Sequence, residues 1–369
     1  MITTIKLVEA YIHDQPVGKL ALTGDGCCAF EYNASFIQNG FSLSPFELPL
    51  QSGVFIAKTH PFNGNFGVFD DCLPDGWGML ILDRYLQQQD ITISSLSILD
   101  RLSLVGASGR GALEFRPDQS VASRSDLKSF EYLSAEAQKV LNTKEYRGEA
   151  VETLYRQGGS PGGARPKVFV KIDGKEWLVK FRASNDPEEI GIIEYNYSIL
   201  AKKCGIEMPN TSLIEDKYFA VERFDRSPKG KIHVVSVAGL LRADYRVPSL
   251  DYLAIFQLCH ALTHNMEELW KLYRLMVFNF LIGNKDDHAK NFAFVLQQNE
   301  WRLSPSYDLL PSFGFNGFHT TTINQKASPA DGDIIAVAEK SGLNTKKAKT
   351  ILSEIKERIL TAKDKAFDD

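Results

Sequence analysis

The apolar positions of the chain alternate between the two-residue rhythm of strands and the three-to-four-residue rhythm of helices. VFVKI and KEWLVKF alternate around Asp173 and Gly174, a pair suited to the positive φ values of a two-residue hairpin turn. Ile190, Ile193, Tyr197, Leu200, Ala201 and Cys204 then recur at helical spacing, and Gly205 follows where a helix C-cap residue belongs. TSLIEDKYFAVERFDR reads as two further strands around a polar turn. Together these predict a small antiparallel sheet with one amphipathic helix packed on its hairpin, which the chain leaves over residues 222–225.

Beyond that sheet the pattern is helical. Residues 248–264 predict one helix, and 266–282 predict another with Leu269, Leu272, Met276 and Phe280 in one stripe before Gly283. Ile351, Leu352, Ile355 and Ile359 predict a closing amphipathic helix with Lys and Glu on its other face. Upstream, residues 1 to about 120 are rich in Gly, Pro and short apolar runs and end in LVGASGRGALEFRPD, a glycine-rich turn before a short strand. The polar stretch SVASRSDLKSF leads to a helix with Leu133, Ala137 and Leu141 on one face. The expected fold class is α+β: an accessory subdomain over 1–120, a linker and spacer helix over 121–150, a small-sheet lobe over 151–226 and a helical lobe over 227–369. This is the order of parts in a two-lobed protein-kinase-like core.

The composition, 44% hydrophobic and 24% charged over 369 residues, is that of a globular protein with a sizeable core and room for two or three compact units. A net charge of -4 lacks the positive field of an independent nucleic-acid binder. The N-terminus has no basic start followed by an apolar run, and no later stretch is apolar enough to span a bilayer, so no membrane association and a cytoplasmic location are expected. Cys27, Cys28, Cys72, Cys204 and Cys259 form no CxxC pair and are expected to be buried reduced thiols. No HExxH or Cys/His cluster is present among the seven histidines, so any metal is expected to arrive with a substrate.

A kinase needs phosphates clamped by backbone amides and a lysine, a metal held by a carboxylate and an amide, and a base near the incoming hydroxyl. In GGSPGGARPK, residues 158–167, exposed N–H groups around Gly162, Gly163 and Ala164, with Arg165 and Lys167, can face a phosphate, although Gly-Gly and Ser-Pro pairs also mark ordinary turns. Lys180, in the second hairpin strand, either snorkels outward or is committed to an anion. Glu194, on the next helix, either orients Lys180 or lies on a solvated face. The sharpest signal is LIGNKDDHAKNF, where Asp286 and Asn291 stand five residues apart, as in the kinase pattern HRDxxxxN. Asp308 follows a predicted hairpin in FAFVLQQNEWRLSPSYDLLP, where kinases carry a metal-binding aspartate; a helix N-cap is its other reading.

GGSPGGARPK, VERFDR, GNKDDHAKNF and SYDLLP, together with FDDCLPDGWG and LVGASGRGALEF in the first domain, resemble the HipA family of bacterial toxin kinases in family order. The resemblance implies an ATP- and Mg2+-dependent protein serine/threonine kinase with an N-terminal HipA-type subdomain. It implies that Asp286 is the base, that His288, Lys290 and Asn291 complete the loop near phosphates and metal, and that Asp308 is the second metal ligand beside Tyr307. It further implies that Lys180 contacts phosphates and that Glu222, Arg223 and Phe224 line the adenine site, the backbone there supplying its hydrogen bonds. Ser160 aligns with the family's autophosphorylation serine, although it also fits a plain turn, and Pro161 stiffens the same loop. The family implies as partners a HipB-like helix-turn-helix antitoxin, through which alone DNA is met, and a protein substrate such as an aminoacyl-tRNA synthetase. Two rival readings are a small-molecule phosphotransferase of the same fold and a nucleotide-binding regulatory module without catalysis.

Overall fold

The computed structural model describes residues 4–121, 128–144, 146–148, 150–158, 163–314 and 316–366. Two compact units emerge, the first formed by residues 1–192 with 211–233, the second by 193–210 with 234–369.

The first unit opens with a five-stranded antiparallel sheet, in the order Val54–Ile56, Cys28–Tyr32, Gln15–Leu22, Val8–Ile12, Glu114–Arg116. Val8, Ala10, Leu20 and Phe30 alternate into its buried face, as period-two patterning demands. Phe30 packs edge-on to Tyr32 with ring centroids 4.8 Å apart, and lies 5.3 Å from Phe69.

The second sheet of this unit is antiparallel in the order Lys167–Ile172, Lys175–Lys180, Tyr218–Glu222, Thr211–Ile214. Its hairpin turns at Asp173 (φ 50°) and Gly174 (φ 79°), the left-handed pair expected from the sequence. Val168, Val179 and Ala220 of this sheet, with Phe181 just beyond its second strand, share one core with Trp77 and Leu82 of helix Gly76–Gln87, Leu133 and Ala137 of Phe130–Asn142, and Leu154 of Ala150–Gly158. The helix expected to act as a spacer thus contributes to this core, and the first 120 residues contribute the buried Trp77 indole to it.

The second unit holds a three-stranded sheet with Ala293–Gln297 between His233–Ser236 and Glu300–Leu303, and the helices Tyr252–Thr263, Met266–Ile282, Asp331–Lys340 and Thr345–Ala366. Helix Met266–Ile282 starts where the Asn265 side chain accepts from the Glu267 N–H, and stops at Gly283 with φ 72°. Tyr273, Val277 and Phe278 are buried in addition to the expected stripe, so this helix is wrapped on most sides, while Phe280 is only half-buried. Helix Tyr252–Thr263 begins later than expected because Asp251 caps it, accepting from the Leu253 N–H at 2.9 Å. All five cysteines are buried and free, and no helix among the described residues is long and apolar enough to cross a membrane.

Candidate active site

In the first unit, register places Lys167 directly opposite Lys180 on adjacent strands. Both are at least nine-tenths buried, so Lys180 does not snorkel outward; its ammonium lies 5.5 Å from the centroid of the Phe219 ring. Directly opposed residues of adjacent strands share a face, so the two lysines stand side by side on one face of the sheet. Gly163, with φ 87°, lies beside Lys167: a Cβ there would stand 2.8 Å from its ammonium nitrogen. Arg165 forks onto Asp186 at 2.8 and 2.9 Å. Burial alone would raise the Asp186 pKa, but Arg165 and the Ala183 N–H hold it below the usual carboxylate range. Ser160 and Gly162 lie outside the described residues, as does Pro161; Ala164 continues the turn.

Glu222 ends strand Tyr218–Glu222 and reaches Lys175 at 3.0 Å, with Phe224 half-buried two residues on. The Arg223 guanidinium is held by Asp225 at 2.8 Å and by the Gly109 carbonyl at 3.1 Å, and lies 4.3 Å from the centroid of the Phe169 ring. Its main-chain N–H donates to Glu176 at 2.9 Å. Thus Arg223 ties VERFDR to the glycine turn of LVGASGRGALEF. In the second unit, Glu194 is buried on helix Ile190–Lys203.

Also in the second unit, the loop after helix Met266–Ile282 brings Asp286, His288, Lys290 and Asn291 together. Asp286 is exposed, yet its backbone is held at both ends: its N–H donates to Ser312 Oγ at 2.7 Å, and its carbonyl accepts from Asn291 Nδ2 at 2.7 Å. With its nitrogen so engaged, Asn291 has Oδ1 as its acceptor atom. His288 Nδ1 accepts from the Lys290 N–H at 3.2 Å, and the Lys290 ammonium lies 4.2 Å from the centroid of the Tyr245 ring. Tyr307 donates its hydroxyl to the Lys290 carbonyl at 2.7 Å, and Asp308 adopts φ 54°, its carbonyl accepting from Asn284 Nδ2 at 3.2 Å. Among the described residues no helix begins next to Asp308, so it is not an N-cap.

Asp287, which the spacing argument passed over, is the buried member of the pair. One carboxylate oxygen accepts the Thr320 and Thr321 N–H groups at 3.0 and 3.1 Å; the other meets His319 Nδ1 at 2.9 Å and the Tyr252 hydroxyl at 3.2 Å. Asn279 donates to the same Tyr252 oxygen at 3.1 Å and accepts from Asn284 at 3.1 Å. A carboxylate immersed in four donors is a buried scaffold, whereas its sequence neighbour Asp286 is exposed.

Among the described residues, no cluster of three His, Cys, Asp or Glu could hold a metal by itself. Oxygen ligands from Asn291 and Asp308 suit a hard cation that takes its remaining ligands from substrate phosphates and water, as Mg2+ does.

Residues 159–363, more than half of the chain, match the family described as HipA-like C-terminal domain, and residues 8–116 match the HipA N-terminal domain. The chain belongs to the HipA family. It is 24% identical to the Y4dM protein of Sinorhizobium fredii, whose name assigns it provisionally to the kinases, over 93% of this chain and 87% of that one. It is 22% identical to the serine/threonine-protein kinase toxin HipA of Shewanella oneidensis, over 82% of this chain and 74% of that one. The solved structure of Shewanella oneidensis HipA with HipB and operator DNA shares its fold, with a TM-score of 0.73, 21% identity, and coverage of 96% of this chain and 89% of that chain. The α+β HipA architecture is therefore the fold of this chain, and the relatives it matches are named as kinases.

Proposed function

We propose that this HipA-family chain is an ATP-dependent protein serine/threonine kinase and the toxin of a toxin–antitoxin pair. The observation that carries the reading is the Asp286 carboxylate, exposed on a backbone held at both ends by Ser312 and Asn291. A base that must meet a substrate hydroxyl needs that combination of access and fixed position.

In this reading Asp286 accepts the proton of the attacking Ser or Thr hydroxyl as its oxygen bonds to the γ-phosphorus and the bond to ADP breaks. Lys180 and Lys167, with the amides of Gly162, Gly163 and Ala164, receive the nucleotide's phosphates, and Arg165 braces that turn. Glu222 and Phe224 face adenine through their backbone, while the Arg223 N–H is already engaged by the Glu176 carbonyl. Asn291 and Asp308 would hold Mg2+, which when bound neutralises charge on the transferring phosphate. Lys290 and His288 flank the phosphates, and Tyr307 supports Lys290. Ser160 is the proposed site of self-modification, where a dianion would repel incoming ATP. A HipB-like antitoxin is the proposed partner, by analogy with the Shewanella oneidensis complex, and an aminoacyl-tRNA synthetase is the proposed substrate class.

Intact-mass spectrometry after incubation with ATP and Mg2+ tests this. One added phosphate on the parent chain, missing from Asp286→Ala and Ser160→Ala, is expected. ATP binding with no phosphate on the chain or on any protein substrate would move the assignment to a small-molecule phosphotransferase or a non-catalytic module.

A further inference from the structure

Asp75 lies 88 residues before Gly163, yet the Gly163 N–H donates to its carboxylate. The carbonyl of the same glycine accepts from the Trp77 N–H at 2.9 Å. Both polar main-chain groups of Gly163 are therefore held by one tripeptide of the N-terminal domain. Between the two bonds sits Gly76, with φ 45°; a Cβ there would stand 2.5 Å from the Gly163 oxygen and 3.0 Å from the Ala164 nitrogen. Only glycine lets the two segments approach so closely.

The clamp has a rigid base. Trp77 is buried in the core shared with the hairpin strands, in the first turn of the 12-residue helix Gly76–Gln87. Asp75 is the N-cap of that helix, a position where aspartate ordinarily accepts an amide of the helix's own first turn. Here no such side-chain cap bond forms, and the carboxylate takes the Gly163 N–H instead. The sequence has the capping residue, and the structure has diverted it.

On its other side Gly163 abuts Lys167, the cross-strand neighbour of Lys180. We propose that Asp75, Gly76 and Trp77 are positioning residues that hold the glycine turn at Gly163 beside the buried Lys167–Lys180 pair, so that the N-terminal domain sets the arrangement in which nucleotide phosphate is received. This rests on reading that corner as the phosphate site. The physical logic is preorganisation: a glycine-rich turn has many conformations, and fixing one in advance lowers the entropic cost of binding.

The test combines hydrogen–deuterium exchange over residues 163–167 in the full chain with ATP kinetics, for Asp75→Ala, Asp75→Asn and Gly76→Ala. Asp75→Ala removes the acceptor, and Gly76→Ala displaces Gly163 without touching a polar group. Both are expected to exchange about tenfold faster at this turn, with KM for ATP raised about tenfold and kcat at saturating ATP within about twofold of the parent. Asp75→Asn keeps an oxygen acceptor and restores both quantities, which a merely structural loss would not do. If one alanine variant fails to fold, the other carries the comparison. Exchange at the parental rate overturns the clamp. Faster exchange with unchanged KM overturns its link to nucleotide. A parent chain that binds no ATP sinks the nucleotide reading and that link, while exchange alone still judges the clamp.

Discussion

The side-chain amide of Asn291 reaches back across its own loop to the main-chain carbonyl of Asp286, 2.7 Å away. The proposed base and the proposed metal ligand are thus one mechanical unit, and removing the amide loosens the carboxylate while also deleting an oxygen ligand. Asn291→Ala is expected to lower phosphate transfer by about a hundredfold or more, while melting drops by no more than about 3 °C, because the bond lies at the surface. Calorimetry beside a phosphotransfer assay checks both halves. A large loss of melting temperature would make the defect one of folding.

Asp286 and Asp287 are expected to separate stability from chemistry. Asp287→Ala strands two buried N–H groups and the Tyr252 and His319 side chains, which should cost about 3 kcal/mol or more. Asp286→Ala should change stability by less than about 0.5 kcal/mol at its exposed position, yet abolish transfer. Urea denaturation of the two variants at neutral pH decides it; equal losses would overturn the division of labour.

Local chemistry made much of this legible in advance. The Asp173-Gly174 turn, the stop at Gly283 and the five-residue interval from Asp286 to Asn291 depend on residues close together in sequence, where propensity and spacing carry information. What stayed hidden depends on distance. Spacing to Asn291 singles out Asp286, but nothing local shows that Asp287 is buried, because the groups that bury it, Tyr252 and His319, lie 35 and 32 residues away. Arg223 likewise reads as part of a lobe connection until the fold brings the Gly109 carbonyl, 114 residues away, to its guanidinium. The histidine followed by three threonines, residues 319–322, was the one available hint of a polar scaffold.

Asp225 joins the small sheet to the glycine turn of the first domain. Its carboxylate accepts from Arg223 and Arg226 at 2.8 and 2.9 Å and from the Gly111 N–H at 2.8 Å, while Arg226 also donates to the Gly109 and Gly111 carbonyls. Burial pushes its pKa up, but the two guanidiniums prevail and hold it well below the usual range. A depressed carboxylate pKa gives stability that is full above its unfolded value near 4 and is lost as pH falls through the folded value. Asp225→Ala, which leaves two buried cations, is expected to cost about 3 to 5 kcal/mol at pH 7 and to remove this part of the acid response. A variant as stable as the parent in urea at pH 7 would refute the argument.

His233 should make the protein sensitive to mild acid. Its buried ring lies with Nε2 2.8 Å from the Leu43 carbonyl oxygen, so Nε2 carries the proton. Protonating the ring would place a charge away from water, and burial accordingly lowers the pKa from 6.5 to about 4, against a smaller upward pull from the Leu43 bond. The unfolded chain takes up this proton near pH 6.5 and the folded chain only near 4, so stability is full above 6.5 and falls with pH between the two values. Between pH 7.5 and 5.0 the loss should be about 2 kcal/mol. His233→Gln keeps an N–H donor for Leu43 but cannot titrate, so its urea midpoint should fall less over that interval than the parent's. Equal falls in both proteins would show that another group governs the acid response.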